Sequence, residues 1–217
     1  MPKVKMPRKS TNIDMTAMCD VAFLLLTFFM LATKFKPDEP VTVVTPSSIN
    51  TQLLPDSDVI LITVDEKGRV FFSMDGQPKR RELLTNLNDN FNLGLGKQEI
   101  DNFAIGSSIG TDFKSLKTVL DMTPAERKDS QVETGIPTDS TDNQLAIWIE
   151  YARSAQGNNR NLKYCIKADN KTPYPKIEAV LSTFKEKGIQ KLNLVTDLEG
   201  IPPGTAAAAL QEEQLKK

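Results

Sequence analysis

The chain has 217 residues, about one or two domains' worth, and its 27 basic against 28 acidic side chains leave a formal charge of −1, so no overall field points to nucleic acid or a polyanionic substrate. It contains no histidine, which excludes Ser-His and Cys-His nucleophile pairs, histidine metal ligands and the usual neutral-pH acid-base group. Cys19 and Cys165 are too distant in sequence for a zinc or CxxC pair, so neither a conventional hydrolase nor a metalloenzyme is indicated, and no cofactor or metal is expected.

The charges are segregated. Residues 1–14 carry Lys3, Lys5, Arg8 and Lys9 against one acid, Asp14, while Val21 to Thr33 carries no charge. As a helix, residues 15–35 would be roughly 31 Å long, close to the ~30 Å hydrocarbon core of a bilayer. A signal peptide would share the basic start, but Asp20 heads the apolar run and no small-x-small cleavage site follows it. A soluble helix capped by Asp20 and buried in a core would share the short apolar run. The reading adopted is one membrane-spanning helix. Asp20 costs it at most ~3 kcal/mol, and Leu, Phe and Val residues return ~0.3 to 0.6 kcal/mol each. The excess of Lys and Arg before the segment, against Lys34 and Lys36 after it, predicts a cytoplasmic N-terminus (residues 1–14).

Asp20 is the residue that needs explaining. At 100° per residue, Thr16, Asp20 and Thr27 fall on one stripe of an otherwise apolar cylinder. Such a ridge calls for a partner helix or a wet cleft, and an ionisable group inside a span marks an ion path by default. The plainer reading is an interfacial aspartate reaching the headgroups, with the threonines bonded back to their own helix. Without histidine, proton exchange near neutral pH is most easily met by a carboxyl whose pKa is raised by desolvation.

Residues 36–57 contain Pro37, Pro40, Pro46 and Pro55 and no helical period, so an extended linker is expected. Within it Val41 and Val43 alternate, which suits an edge strand over Val41–Val44 ended by Pro46; a plain spacer is the alternative. The folded region, 58–198, opens with a hairpin of Val59–Val64 and Val70–Met74 around Asp65-Glu-Lys-Gly68. A helix over Glu82–Phe91 follows, with Leu83, Leu84, Leu87 and Phe91 on one face.

An insert over about 92–161 is expected to hold two helices, Asp112–Asp121 and Asp142–Gln156, with Thr123-Pro124 opening a short third. Trp148 is assigned to local core, and the glycine-rich stretches at Gly94–Gly96 and Gly106–Gly110 are read as loops because neither completes a phosphate-binding pattern. A strand over Leu162–Ala168, a helix opened by Pro175 and stopped by Gly188, and a strand over Lys191–Thr196 close the region. That helix is expected to bury Ile177, Val180, Leu181 and Phe184. Residues 199–217, with Pro202-Pro203 and an alanine run, read as a flexible tail. The fold class is therefore a single-pass transmembrane α-helix plus a small two-layer α+β domain: ββα, helical insert, βαβ.

The string Asn12-Ile-Asp-Met-Thr-Ala-Met-Cys-Asp20-Val-Ala-Phe-Leu-Leu-Leu-Thr-Phe-Phe-Met30 resembles the N-terminal signature of the ExbD/TolR family of membrane energy transducers. The blocks Lys163–Asp169, Tyr174–Phe184 and Gly188–Thr196 are similar to its closing strand, helix and strand. The resemblance implies that Asp20 is the protonatable residue and Thr16 the family threonine. The family proline would fall at Ala17, so that residue is missing here. The linker is similar to a short family strand ending in Leu-Pro, with Thr45 where leucine is expected. The flagellar stator subunit is similar only around the aspartate, and the closing blocks argue against it.

Taken as ExbD-like, the resemblance implies a non-enzymatic subunit of a bacterial inner membrane with a periplasmic domain. It implies two copies inside a ring, pentameric by expectation, of a multi-span ExbB-like subunit, energising a TonB-like protein for transport across the outer membrane, with no nucleic acid involved. The alternatives are a TolR-like subunit for envelope maintenance, with or without peptidoglycan binding, and a membrane-anchored periplasmic binding module that moves no ion.

Overall fold

The computed structural model describes residues 15–32, 41–48, 57–106, 108–123, 126–127, 132–139, 141–157, 159 and 161–198. The expected N-terminal basic segment, most of the linker and the C-terminal tail lie outside them. The chain forms two compact units, residues 1–36 and 37–217. In the first, α1 spans Met15–Ala32, and it is long and apolar enough to cross a membrane. No residue of α1 is buried, whereas a soluble core helix would bury its apolar face.

The second unit is built on a four-stranded mixed sheet. Its strands are β2 (Val59–Val64), β3 (Val70–Met74), β6 (Lys163–Ala168) and β7 (Asn193–Val195), in the spatial order β3-β2-β6-β7. The β2–β3 hairpin is antiparallel; β6 pairs parallel to β2 from Val59↔Lys163 to Val64↔Ala168, and β7 pairs parallel to β6. At the turn, Gly68 takes φ +77° and donates its N–H to the Asp65 carbonyl at 2.9 Å. The Asp65 carboxylate accepts from the Arg69 backbone N–H and from Arg69 Nε, each at 2.7 Å. That positive φ is why glycine ends the turn.

One face of the sheet carries the core. Ile60, Ile62, Val64, Val70, Phe72, Met74, Ile166 and Ala168 pack against α2 (Gln77–Phe91), α5 (Gln144–Ala155) and α6 (Tyr174–Glu186). Trp148 is fully buried at its centre, with ring centroids 5.2 Å from Phe72 and 5.7 Å from Phe103. The expected two-layer arrangement is therefore present, and Trp148 belongs to the core.

Several boundaries differ from the sequence expectation, each for a local reason. Helix α2 begins at Gln77 rather than Glu82. Its first turns hold no apolar residue, but Arg80 fixes them by donating to the Met74, Ala104 and Gly106 carbonyls and to Ser73 Oγ. Helix α3 (Lys97–Ile105) falls between the two glycine stretches and was not expected; the Glu99 carboxylate caps it by accepting the Gly96 N–H at 3.0 Å, and Phe103 and Ala104 are buried.

Helix α4 is shorter than expected, Leu116–Asp121, because the Asp112 carboxylate turns the chain by accepting the Ser115 N–H. Gln144 Oε1 also takes the Phe113 N–H, at 2.9 Å. Helix α5 starts at Gln144 because β5 (Asp142–Asn143) pairs with β4 (Thr138–Asp139), after which Asn143 Oδ1 caps the helix through the Ala146 N–H. Glu126 and Arg127 are helical, with Thr123 and Glu126 bonded as a capping pair. Leu181, expected in the core, is 38% exposed. The last strand is interrupted: β7 ends at Val195, and β8 (Asp197–Leu198) pairs elsewhere.

The insert does more than fill space beside the sheet. Ile109 bridges to Phe72 through N–H···O bonds of 2.7 and 2.9 Å, and the Ile136 N–H bonds the Val70 carbonyl at 2.8 Å. Insert backbone therefore covers the free edge of β3. Phe71, on the sheet face opposite the main core, is buried against Gly110, where an added Cβ would lie 2.2 Å from the ring. Gly110→Ala is expected to destabilise the domain by about 1–3 kcal/mol through overpacking, read as a lower denaturant midpoint. An unchanged midpoint would mean that Phe71 moves aside freely.

Candidate functional site

Helix α1 holds the acidic ridge. Asp20 lies just over one turn after Thr16 and two turns before Thr27, so the three share one face. Its carboxylate is the only acid on α1. Thr27 donates its hydroxyl to the Leu24 carbonyl at 2.9 Å, which commits its proton and leaves its oxygen as an acceptor. Around the ridge the helix is Leu and Phe, with Phe28 and Phe29 edge to face at 6.0 Å. The ridge therefore presents one carboxyl on an otherwise apolar helix. Protonated, it is neutral and tolerates apolar surroundings; ionised, it requires water or a polar partner.

The linker site is placed differently from the expectation. Val41–Val44 forms no strand; the strand is β1, Ser47–Ser48, after Pro46 rather than before it. The alternation is visible in burial, with Val41 and Val43 half-buried and Thr42 and Val44 exposed. The backbone partners, however, come from a loop. Val44 donates its N–H to Asp169 Oδ2 at 2.9 Å, and its carbonyl accepts from the Asn170 N–H at 3.0 Å. Pro46 has no N–H, but its carbonyl accepts from the Asp197 N–H at 3.0 Å and so opens the parallel pairing of β1 with β8. Thr45 is buried between these attachments.

Asp169 was not singled out in the sequence. The signal for it was local: an Asp-Asn at the end of a predicted strand, where side chains often bond backbone two residues on. Its other oxygen accepts the Lys171 N–H at 2.9 Å. The Lys171 and Val44 backbone bonds hold its pKa below the usual carboxylate value. The Cys165 thiol is buried with its pKa pushed up by desolvation, the opposite of an activated nucleophile. Among the described residues no three His, Cys, Asp or Glu side chains come together as a metal site.

Fold and ridge together define a class: one apolar N-terminal helix that is a candidate for a single span, carrying one carboxyl, joined to a small mixed α/β domain. The family model described as biopolymer transport protein ExbD/TolR matches residues 6–199. The chain belongs to that family, whose members are non-enzymatic transducers of energy for biopolymer transport and work with membrane partners. No curated protein and no solved structure matches the chain.

The attachment of Val44 to Asp169 carries its own pH signature. Because the folded pKa is depressed, the contribution of Asp169 is present above its ordinary value of 3.8 and is lost as pH falls through the lower folded value. Asp169→Ala is expected to free residues 44–48 at neutral pH, seen as faster backbone hydrogen exchange at Val44 and Asp197. Wild-type exchange rates in that variant would show that the β1–β8 pairing holds the linker alone.

Proposed function

We propose that this protein is an ExbD-type subunit of a bacterial inner membrane, in which Asp20 carries the proton that drives work by the outer domain. The observation that carries the reading is Asp20 itself: a single carboxyl on a polar face, shared with Thr16 and Thr27, of the one helix among the described residues long and apolar enough to span a membrane, in a chain of the ExbD/TolR family. The basic N-terminus faces the cytoplasm and the α/β domain the periplasm, by the distribution of Lys and Arg. The helix ridge faces a multi-span ExbB-like ring and a second copy of this chain. The outer domain acts on a TonB-like protein that serves outer-membrane transport. In this reading Val41, Val43 and Pro46 belong to the strap through which helix movement reaches the domain.

The energetics suffice. A proton crossing about 150 mV supplies roughly 3 to 4 kcal/mol, which biases a two-state step by two decades or more. Protonation lets Asp20 pass apolar surroundings, and release returns it to a polar partner, so the cycle shifts the helix relative to its ring. Thr16 and Thr27 solvate or position the acid.

Two experiments test this reading. Asp20→Asn keeps the size of the protonated acid but cannot ionise. Insertion and assembly should survive while gradient-dependent uptake through an outer-membrane transporter stops. Asp20→Glu should retain part of the activity, and Thr16→Ala and Thr27→Ala should be milder. Normal uptake in an assembled Asp20→Asn complex would remove the proton-carrier assignment; loss of envelope integrity with intact uptake would move the protein to the Tol type. For topology, protease added outside spheroplasts should digest the α/β domain and spare an N-terminal tag. Loss of the tag would reverse the orientation.

A further inference from the structure

The insert is held to the β3 edge at a place where a carboxyl has been taken out of water. Glu133 is 3% exposed. Its neighbours Gly135 and Ile136 make the backbone contacts: the Gly135 N–H bonds the Gly110 carbonyl at 2.7 Å, and the Ile136 N–H bonds Val70. Gly135 takes φ +94°, and an added Cβ would lie 2.9 Å from Arg69 Cα, so this segment lies flat against the strand. The Glu133 carbonyl accepts from Arg69 Nη1 at 2.9 Å.

The carboxylate itself is poorly served. Oε1 faces the Gly110 N–H at 3.4 Å, a long bond. Two cations face it without an ion pair among the described residues. Arg69 is paired with Asp65 at 2.7 Å, and Arg127, itself 7% exposed, donates Nε to the Met122 carbonyl at 3.2 Å. An ionised carboxylate in this place loses hydration that neither arginine fully replaces, whereas a protonated one loses little.

We propose that Glu133 is a pH-sensitive latch, seating residues 132–136 on the β3 edge when its carboxyl is protonated and loosening them when it ionises. The groups that set its titration are Arg127 from the helical turn after Thr123, Arg69 from the β2–β3 turn with its partner Asp65, and the Gly110 N–H. Burial outweighs the two arginines and the backbone bond, so the folded pKa lies above the ordinary value of 4.5. The sign follows from linkage: the seat is fully held below that ordinary value and weakens as pH rises through the higher folded one. Loosening bares the Val70 carbonyl, which the Ile136 N–H otherwise holds, on that edge. The insert thus becomes a pH-responsive cover of the sheet, independent of what Asp20 does.

The test is backbone hydrogen exchange on the full chain in detergent micelles at about pH 5 and about pH 8, corrected for chemical exchange, since local opening sets protection. In the wild type, Gly135 and Ile136 should be several-fold more protected at the lower pH, while Leu83 to Leu87 in α2 stay constant. Glu133→Gln should keep high protection at both. Arg127→Met removes a cation that favours the ionised form, so loosening should begin at higher pH. Equal wild-type protection at both values would overturn the latch. So would a Glu133→Gln profile matching the wild type, or an Arg127→Met midpoint that stays in place or falls.

Discussion

The domain depends on the parallel pairing of β2 with β6. These strands are about a hundred residues apart in sequence, yet six residue pairs are in register, from Val59↔Lys163 to Val64↔Ala168. A parallel pair needs a crossover, and here the crossover is everything from the hairpin to the end of the insert. Closing so long a loop is slow but adds only modestly to the entropic cost, because that cost grows with the logarithm of length. The pairing aligns Ile60, Ile62 and Val64 with Tyr164, Ile166 and Ala168, so the core face is continuous across both halves. Helices α2, α5 and α6 then share one apolar surface.

Once that surface exists, the insert has a defined task. Phe72, Phe103 and Phe113 stack around Trp148 and bury the middle of the sheet, while Ile109 and Ile136 complete the β3 edge. An uncovered edge strand is a template for unwanted pairing. A partly buried arginine ties the insert to the sheet. Arg80 satisfies carbonyls at the ends of β3 and α3, and burial lowers its pKa from the usual value.

The linker makes a second, smaller closure. Asp169 and Asn170 take the backbone of Val44, and Asp197 takes that of Pro46, all outside the main sheet ladder. Among the described residues this strap is held by three backbone contacts and a two-residue strand, which leaves few bonds to break. Such elements come from the low end of a protein's local stability. The carboxyl on α1 is a different case: it is the one acid on an otherwise apolar helix, where an ionised group is costly without water or a polar partner.

Periodicity alone was sufficient for α1, for the β2–β3 hairpin and for the α6–Gly188 stop, because each is governed by contacts within a few residues: apolar run, glycine turn, proline at the first turn. The acidic ridge was legible for the same reason, since helical geometry alone places Thr16, Asp20 and Thr27 together. What sequence could not supply was decided by groups distant in the chain. Gln144 shortens α4 by taking the Phe113 N–H, and Arg80 starts α2 early by reaching carbonyls beyond β3. Asp169 holds Val44 from 125 positions away and so moves the linker strand past Pro46. Glu133 became a buried acid only when its segment met β3. Local pattern sets which backbone can be helix or strand; which polar group satisfies it is chosen by whatever the folded chain brings near, and that choice exists only in the tertiary structure.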